Sequence, residues 1–278
     1  MSCEEICFSI KNTNWCNLKC AHCCECSGPN MAPNIMPLGK VEKYIVEFNA
    51  MPCTKSEYMV FTGGETLAPY YHNQTQYIPT CLDIAAHNNM VPVVKTNAMW
   101  GNDDKMRQLI LGDFAKTAYK HKKLMTIEMS VDEFHNNLNG VANVIRDVST
   151  SDYLSPAIRL SMVGLNTPKQ MMVFAELLMQ LCNRGLLVAE TNDNTLLIEV
   201  PGKLMFPVFC DTNSKIASAG RAQENNLGVY KLDGRPDDTG HCLMVDNNDM
   251  AVLNNVFRSK INGQPLTQVV NNLMQNIR

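Results

Sequence analysis

ICFSIKNTNWCNLKCAHC, residues 6–23, passes without a break from a β-rich run into a loop crowded with cysteine. Reactive side chains delivered at the C-terminal end of a strand are the hallmark of parallel α/β architecture, so the rest of the chain has to supply the matching repeats. It does. LGKVEKYIVEFNAM (38–51) places Val41, Tyr44, Ile45 and Phe48 on one helical face, and EYMVFTGGE then reads as a second strand ending in a glycine turn. Residues 73–88 follow with a helical pattern, and VPVVKTN (91–97) forms a third strand. The alternation continues through a helix at 104–121, the strand LMTIEMSVD (124–132), a helix at 136–148 and the strand AIRLSMVG (157–164). Pro168 opens the next helix, which runs to 181. LLIEV (196–200) and LMFPVF (204–209) compete for the sixth strand, and the second is preferred because a loop and a glycine turn follow it. In the tail, MAVLNNVFRSKI and LTQVVNNLMQNI read as two helices separated by Asn262, Gly263 and Pro265.

Five or six such βα units with no dinucleotide-binding glycine fingerprint predict an α/β fold with a complete or partial parallel barrel. Its active residues are expected on the rim where the strands end. The cysteine loop, Gly63 to Thr66, Asn97 and the Ser130 to His135 segment all follow strand ends.

A chain of 278 residues buries enough surface to need no disulfide scaffold. Its twelve cysteines are uneven: Cys3, Cys7, Cys16, Cys20, Cys23, Cys24 and Cys26 crowd the start, whereas Cys53, Cys81, Cys182, Cys210 and Cys242 are scattered. That distribution points to metal or redox chemistry in a cytoplasmic protein. No signal peptide or apolar run of membrane-spanning length is present. A net charge of −3 argues against a broad nucleic-acid surface.

Cys16, Cys20 and Cys23 form CxxxCxxC. Three thiolates can hold three irons of a cubane cluster and leave the fourth iron open. With Cys24 or Cys26 as a fourth ligand the same loop suits structural zinc, and the overlapping CxxC pairs also permit redox chemistry.

CNLKCAHC resembles the cluster loop of the radical S-adenosylmethionine superfamily, with His22 where members commonly carry an aromatic residue. Gly63, Gly64 and Glu65 in FTGGET resemble the family's GGE motif, which binds the amino end of S-adenosylmethionine. Softer similarities are Asn97 in KTNA, Ser130 and Asp132 in MSVDEFH, and Gly220, Arg221 and Ala222 in SAGRA. The resemblance implies a partial (β/α)6 barrel over residues 1–225, followed by a mainly helical C-terminal extension at 226–278. It also implies a 4Fe-4S iron-sulfur cluster on Cys16, Cys20 and Cys23, and S-adenosylmethionine bound by Gly63, Gly64, Glu65, Asn97, Ser130, Asp132 and Arg221. One-electron cleavage of that cofactor yields a 5'-deoxyadenosyl radical, which removes hydrogen from an unactivated carbon. A reductant such as flavodoxin or ferredoxin is implied as partner.

Asp132, His135 and Cys242 are the catalytic candidates, His135 as a proton handler and Cys242, or Cys210, as a hydrogen-atom donor. Arg159 is of interest if it faces the barrel interior. A helix-cap role for Ser130 and Asp132, a locally satisfied His135 and a buried-thiol role for Cys242 compete with these assignments. The expected substrate is a peptide or amino-acid-like molecule. The alternatives are a nucleoside, sugar or cofactor substrate, and a zinc-binding interaction module.

Overall fold

The computed structural model describes residues 6–52, 55–190, 195–203, 205–214, 220–225, 227, 241–254 and 257–275. In chain order the elements are β1 (Ile6–Thr13), α1 (Leu38–Asn49), β2 (Lys55–Gly63), α2 (Ala68–Tyr71), α3 (Tyr77–His87), β3 (Val91–Thr96), α4 (Asp104–His121), β4 (Met125–Ser130), α5 (Leu138–Thr150) and β5 (Ile158–Leu165). They continue with α6 (Gln170–Cys182), β6 (Leu187–Glu190), β7 (Thr195–Glu199), β8 (Phe206–Ser214), α7 (Gly220–Glu224), β9 (His241–Asp246), β10 (Met250–Leu253), β11 (Phe257–Lys260) and α8 (Leu266–Gln275). The chain divides into two compact units, Met1–Val93 with Ala217–Arg278, and Val94–Ile216. The boundary falls within β3.

In the first unit, β1 is flanked by parallel partners, β2 on one side and β9 on the other. The α1 stripe forms as its spacing predicts: Val41, Tyr44, Ile45 and Phe48 are all buried, and Phe48 stacks on Phe8 of β1 at 4.4 Å between ring centroids. Burying such a ring stabilises by about 1.5–3 kcal/mol, which exceeds the helix propensity of its whole turn.

The tail departs from the expected pair of helices. LTQVVNNLMQNI does form α8, but MAVLNNVFRSKI is a β-hairpin, β10 paired antiparallel with β9 and with β11. Turn chemistry overrides the helical spacing. Asp246 accepts hydrogen bonds from the backbone N–H of Asn248 and Met250, and Asp249 turns the chain at φ 59°. Asn254, at φ 51°, stops β10 and clips it to Cys242 with backbone and side-chain hydrogen bonds.

In the second unit, β4 and β5 run parallel in unbroken register from Met125 opposite Ile158 to Ser130 opposite Val163. β8 is the next parallel strand beyond β5, so LMFPVF does supply the sixth strand; LLIEV becomes β7, antiparallel between β8 and β6. α4 is capped by Asp103, which accepts from the N–H groups of Lys105 and Met106. Arg107, 3% exposed, ties α4 to α5 through Asp147 at 2.6 Å. The expected α/β class is thus met. No helix among the described residues is long and apolar enough to cross a membrane.

Candidate functional site

β1 delivers the cysteine loop and β2 delivers the glycines, and in the first unit the two are locked together. Gly64 N–H donates to Thr13 O at 2.9 Å, and Glu65 N–H to Trp15 O at 2.8 Å. A Cβ on Gly64 would stand 2.1 Å from Trp15 O, and one on Gly63, whose φ is +141°, would stand 2.4 Å from Thr13 O. Both glycines are therefore required by the loop entrance itself, because only their missing side chains let β2 end against the backbone beside Cys16. Glu65 is fully buried and accepts from Leu67 N–H at 3.0 Å. Asn12, also fully buried, donates to Thr66 O.

The loop closes on itself where Trp15 bridges Gly28, and backbone turns at residues 20–23 and 23–26 shape its interior. Cys16 is buried, its sulfur accepts from Leu18 N–H at 3.4 Å, and Cys20 and Cys23 are half-buried. Among the described residues, no three of the loop sulfurs lie within 4.8 Å of one another. Thiolates on one tetrahedral zinc, with Zn–S near 2.3 Å, stand only about 3.8 Å apart. Desolvation and the neighbouring Glu25 and Cys23 push the Cys24 thiol up to about 11. Cys26 is exposed and takes φ 55° at the loop's exit. Lys11, buried in β1, pairs with Glu25.

Arg221, one of the cofactor-binding candidates, grips this loop. Its Nε donates to Cys20 O at 2.9 Å, its Nη2 to Ser27 O at 2.5 Å, and its backbone N–H to Cys23 O at 3.0 Å. One turn on, Asn225 donates to Ala21 O. Four carbonyls of the ligand loop are thus held by one short helix. Asn225 and Asn12 carry no motif; the i, i+4 spacing from Arg221 and an asparagine inside an apolar strand are the signals the sequence offers for them.

In the second unit, Asn97, Ser130, Asp132 and His135 gather where β3 and β4 end. Their organiser is a residue that sequence alone does not single out. Asn137, 1% exposed, donates from Nδ2 to Asn97 O at 2.5 Å and to Ser130 O at 2.7 Å. The Asn97 side chain accepts from Met99 N–H. Asp132, 5% exposed, accepts from Phe134 N–H, and both its oxygens lie 2.8 Å from His135 Nδ1. Asp132 thus caps the local turn and pairs with His135 at the same time.

Three other candidates lie elsewhere. Cys242 stands opposite Cys7 near the start of β1, six residues before the strand's rim end at Thr13, or roughly 20 Å along the strand. That position gives no support to its assignment as hydrogen donor. Cys210 is buried, its thiol directed to Val208 O. Arg159 lies over the Phe209 ring at 5.6 Å. Cys3 and Cys53 lie outside the described residues.

No protein-family model matches the chain, and no curated protein matches its sequence. Solved structures do share its fold. Streptococcus suis SuiB, crystallised with S-adenosylmethionine, aligns with a TM-score of 0.55 at 12% identity over 95% of this chain; the chain spans 65% of SuiB's length. The enzyme anSMEcpe with bound AdoMet aligns at a TM-score of 0.49 and 13% identity, covering 88% of this chain and 73% of that one. Its complex with AdoMet and a peptide gives 0.44 and 11%, covering 89% and 73%. The SuiB alignment shows that this chain shares SuiB's fold, an open α/β sheet of mostly parallel strands.

Proposed function

We propose that this protein is a radical S-adenosylmethionine enzyme acting on a peptide or amino-acid-like substrate. The observation that carries the reading is the lock between the CxxxCxxC loop and the GGE turn, made by backbone hydrogen bonds at Thr13 and Trp15. Two motifs far apart in sequence meet in the arrangement that cluster and cofactor chemistry requires.

The donor set suits a cluster with one open iron, for which Cys16, Cys20 and Cys23 would be the ligands. When bound, the cluster supplies the electron that cleaves S-adenosylmethionine to its radical form. Glu65 accepts from the cofactor's ammonium group. Asn97, Ser130 and Asp132 supply further polar contacts from the ends of β3 and β4. Asp132 holds the proton on Nδ1 of His135, which places the acceptor lone pair on Nε2 for handling a substrate proton. The Leu18 N–H directed at the Cys16 sulfur stabilises charge on that ligand. A small acidic electron carrier such as flavodoxin or ferredoxin is the matching reductant.

Anaerobic reconstitution with iron and sulfide, followed by reduction in the presence of S-adenosylmethionine, tests this directly. About four irons per chain and formation of 5'-deoxyadenosine are expected. Alanine at Cys16, Cys20 or Cys23 should abolish both, whereas alanine at Cys26 should leave both intact. A colourless protein with one zinc per chain and no cofactor cleavage would refute the reading.

A further inference from the structure

The second unit carries a groove at the end of its strands opposite to Asn97, Ser130 and Asp132. It has a volume of about 580 Å³ and crosses the starts of β4, β5 and β8, three adjacent parallel strands spanning about 10 Å. Leu124 and Pro156 line it and also line a second depression of about 310 Å³, so the two adjoin. The walls are apolar yet exposed: Leu124 is 38%, Met205 52% and Phe209 43% accessible. Isolated exposed side chains of this kind are ordinary; these three border one groove.

The charge is as uneven as the hydrophobicity. Among the described residues lining the two adjoining depressions, Arg159 and Lys203 of the first and Lys122 and Lys123 of the second are cations, and Asp152 is the one carboxylate, paired with Lys203 at 2.7 Å. The whole chain carries −3, so this excess of cations runs against its own composition. Arg159 lies over the Phe209 ring, which holds a guanidinium beside an apolar wall.

We propose that this groove binds an extended, acidic peptide segment that carries apolar side chains, acting as a docking handle remote from the reacting carbon. Acidic groups on the segment meet Arg159, Lys203 and the Lys122–Lys123 pair, and its apolar side chains cover Leu124, Met205 and Phe209. Five residues of β4, about 17 Å, separate the groove from Ser130, so the bound segment leaves the substrate's other end to reach the chemistry. This inference rests on the peptide reading of the substrate and adds where part of that substrate is held.

The test is fluorescence anisotropy with the full-length protein and a labelled peptide of about a dozen residues repeating Asp-Leu-Glu-Phe, beside a control with Lys in place of both acids. Saturable binding of the acidic peptide alone, weakened at least tenfold between about 50 mM and about 300 mM salt, is expected. The double variant Arg159→Glu with Lys203→Glu, and separately Phe209→Ser, should each weaken binding at least tenfold. Both variants should still cleave S-adenosylmethionine in the reconstituted enzyme. Met205→Ser substitutes for Phe209→Ser if the latter lowers the melting temperature. The proposal is overturned if the folded protein does not bind the acidic peptide, if the variants bind it as wild type does, or if an oligonucleotide of equal charge displaces it with equal affinity. Peptide binding that persists in a protein unable to cleave S-adenosylmethionine would sink the radical-enzyme reading and leave the groove assignment standing.

Discussion

Glycine at 64 and glycine at 112 look equivalent in the sequence and are opposite in the structure. Gly64→Ala places a methyl 2.1 Å from Trp15 O, where backbone must move, so a loss of about 1–3 kcal/mol is expected in denaturant unfolding, together with reduced iron loading. Gly112 lies within α4 with nothing within 4 Å of its missing Cβ, so Gly112→Ala should raise stability by about 0.5–1 kcal/mol and leave loading unchanged. Arg221→Lys keeps the charge, but one ammonium cannot bridge Cys20 O and Ser27 O as the guanidinium fork does. Iron content per chain should fall severalfold on reconstitution while far-ultraviolet circular dichroism is retained. The CxxxCxxC loop and the glycine turn that meets it are legible in the sequence because their spacing is itself chemical information. The roles of Arg221, Asn137 and Asn225 are not, since each acts by donating to carbonyls that carry no side-chain signature.

At the scale of elements, periodicity succeeds where one face is buried and fails where a turn decides. The α1 stripe and the strands β1 to β5 follow from apolar spacing, whereas β10 and β11 imitate a helix in sequence and are set as strands by the turn residues Asp246, Asp249 and Asn254. One of those turn residues has a measurable consequence. Asp249 joins the β9–β10 turn to α1 by accepting from Tyr44 Oη at 2.5 Å and from Lys40 Nζ at 2.9 Å. Burial opposes ionisation of Asp249, but these donors outweigh it and hold the carboxyl below its ordinary value, while burial and the same carboxylate push Tyr44 up. A depressed carboxyl stabilises the fold above its unfolded value, near 4, and loses that contribution as pH falls through the folded value. Urea unfolding between about pH 2 and pH 6 should therefore show an acid loss of stability that Asp249→Asn removes, at the cost of a lower plateau near neutrality.

At the scale of the molecule, the strand that launches the cysteine loop depends on the far end of the chain. β9 pairs with β1 along six residues, from Ile6 opposite His241 to Lys11 opposite Asp246, and α8 meets α1 where Glu47 accepts from Leu266 N–H. A chain ending at residue 225 leaves one side of β1 without its ladder. Such a truncation is expected to melt well below the full-length protein and to fail in cluster loading; an equal melting temperature would show that residues 1–225 fold alone.

The grip of Arg221 on the cysteine loop also sets an order of events during synthesis. Arg221 follows Cys20 by 201 residues, so at about 5–20 residues per second the thiols leave the ribosome roughly 10–40 s before the side chain that shapes their loop exists. During that interval they are an unformed cysteine cluster exposed to oxygen and stray metals. On the proposed function, iron would be acquired by a finished polypeptide rather than a nascent one, and the yield of active protein would depend on how reducing the surroundings are while the chain is still being made.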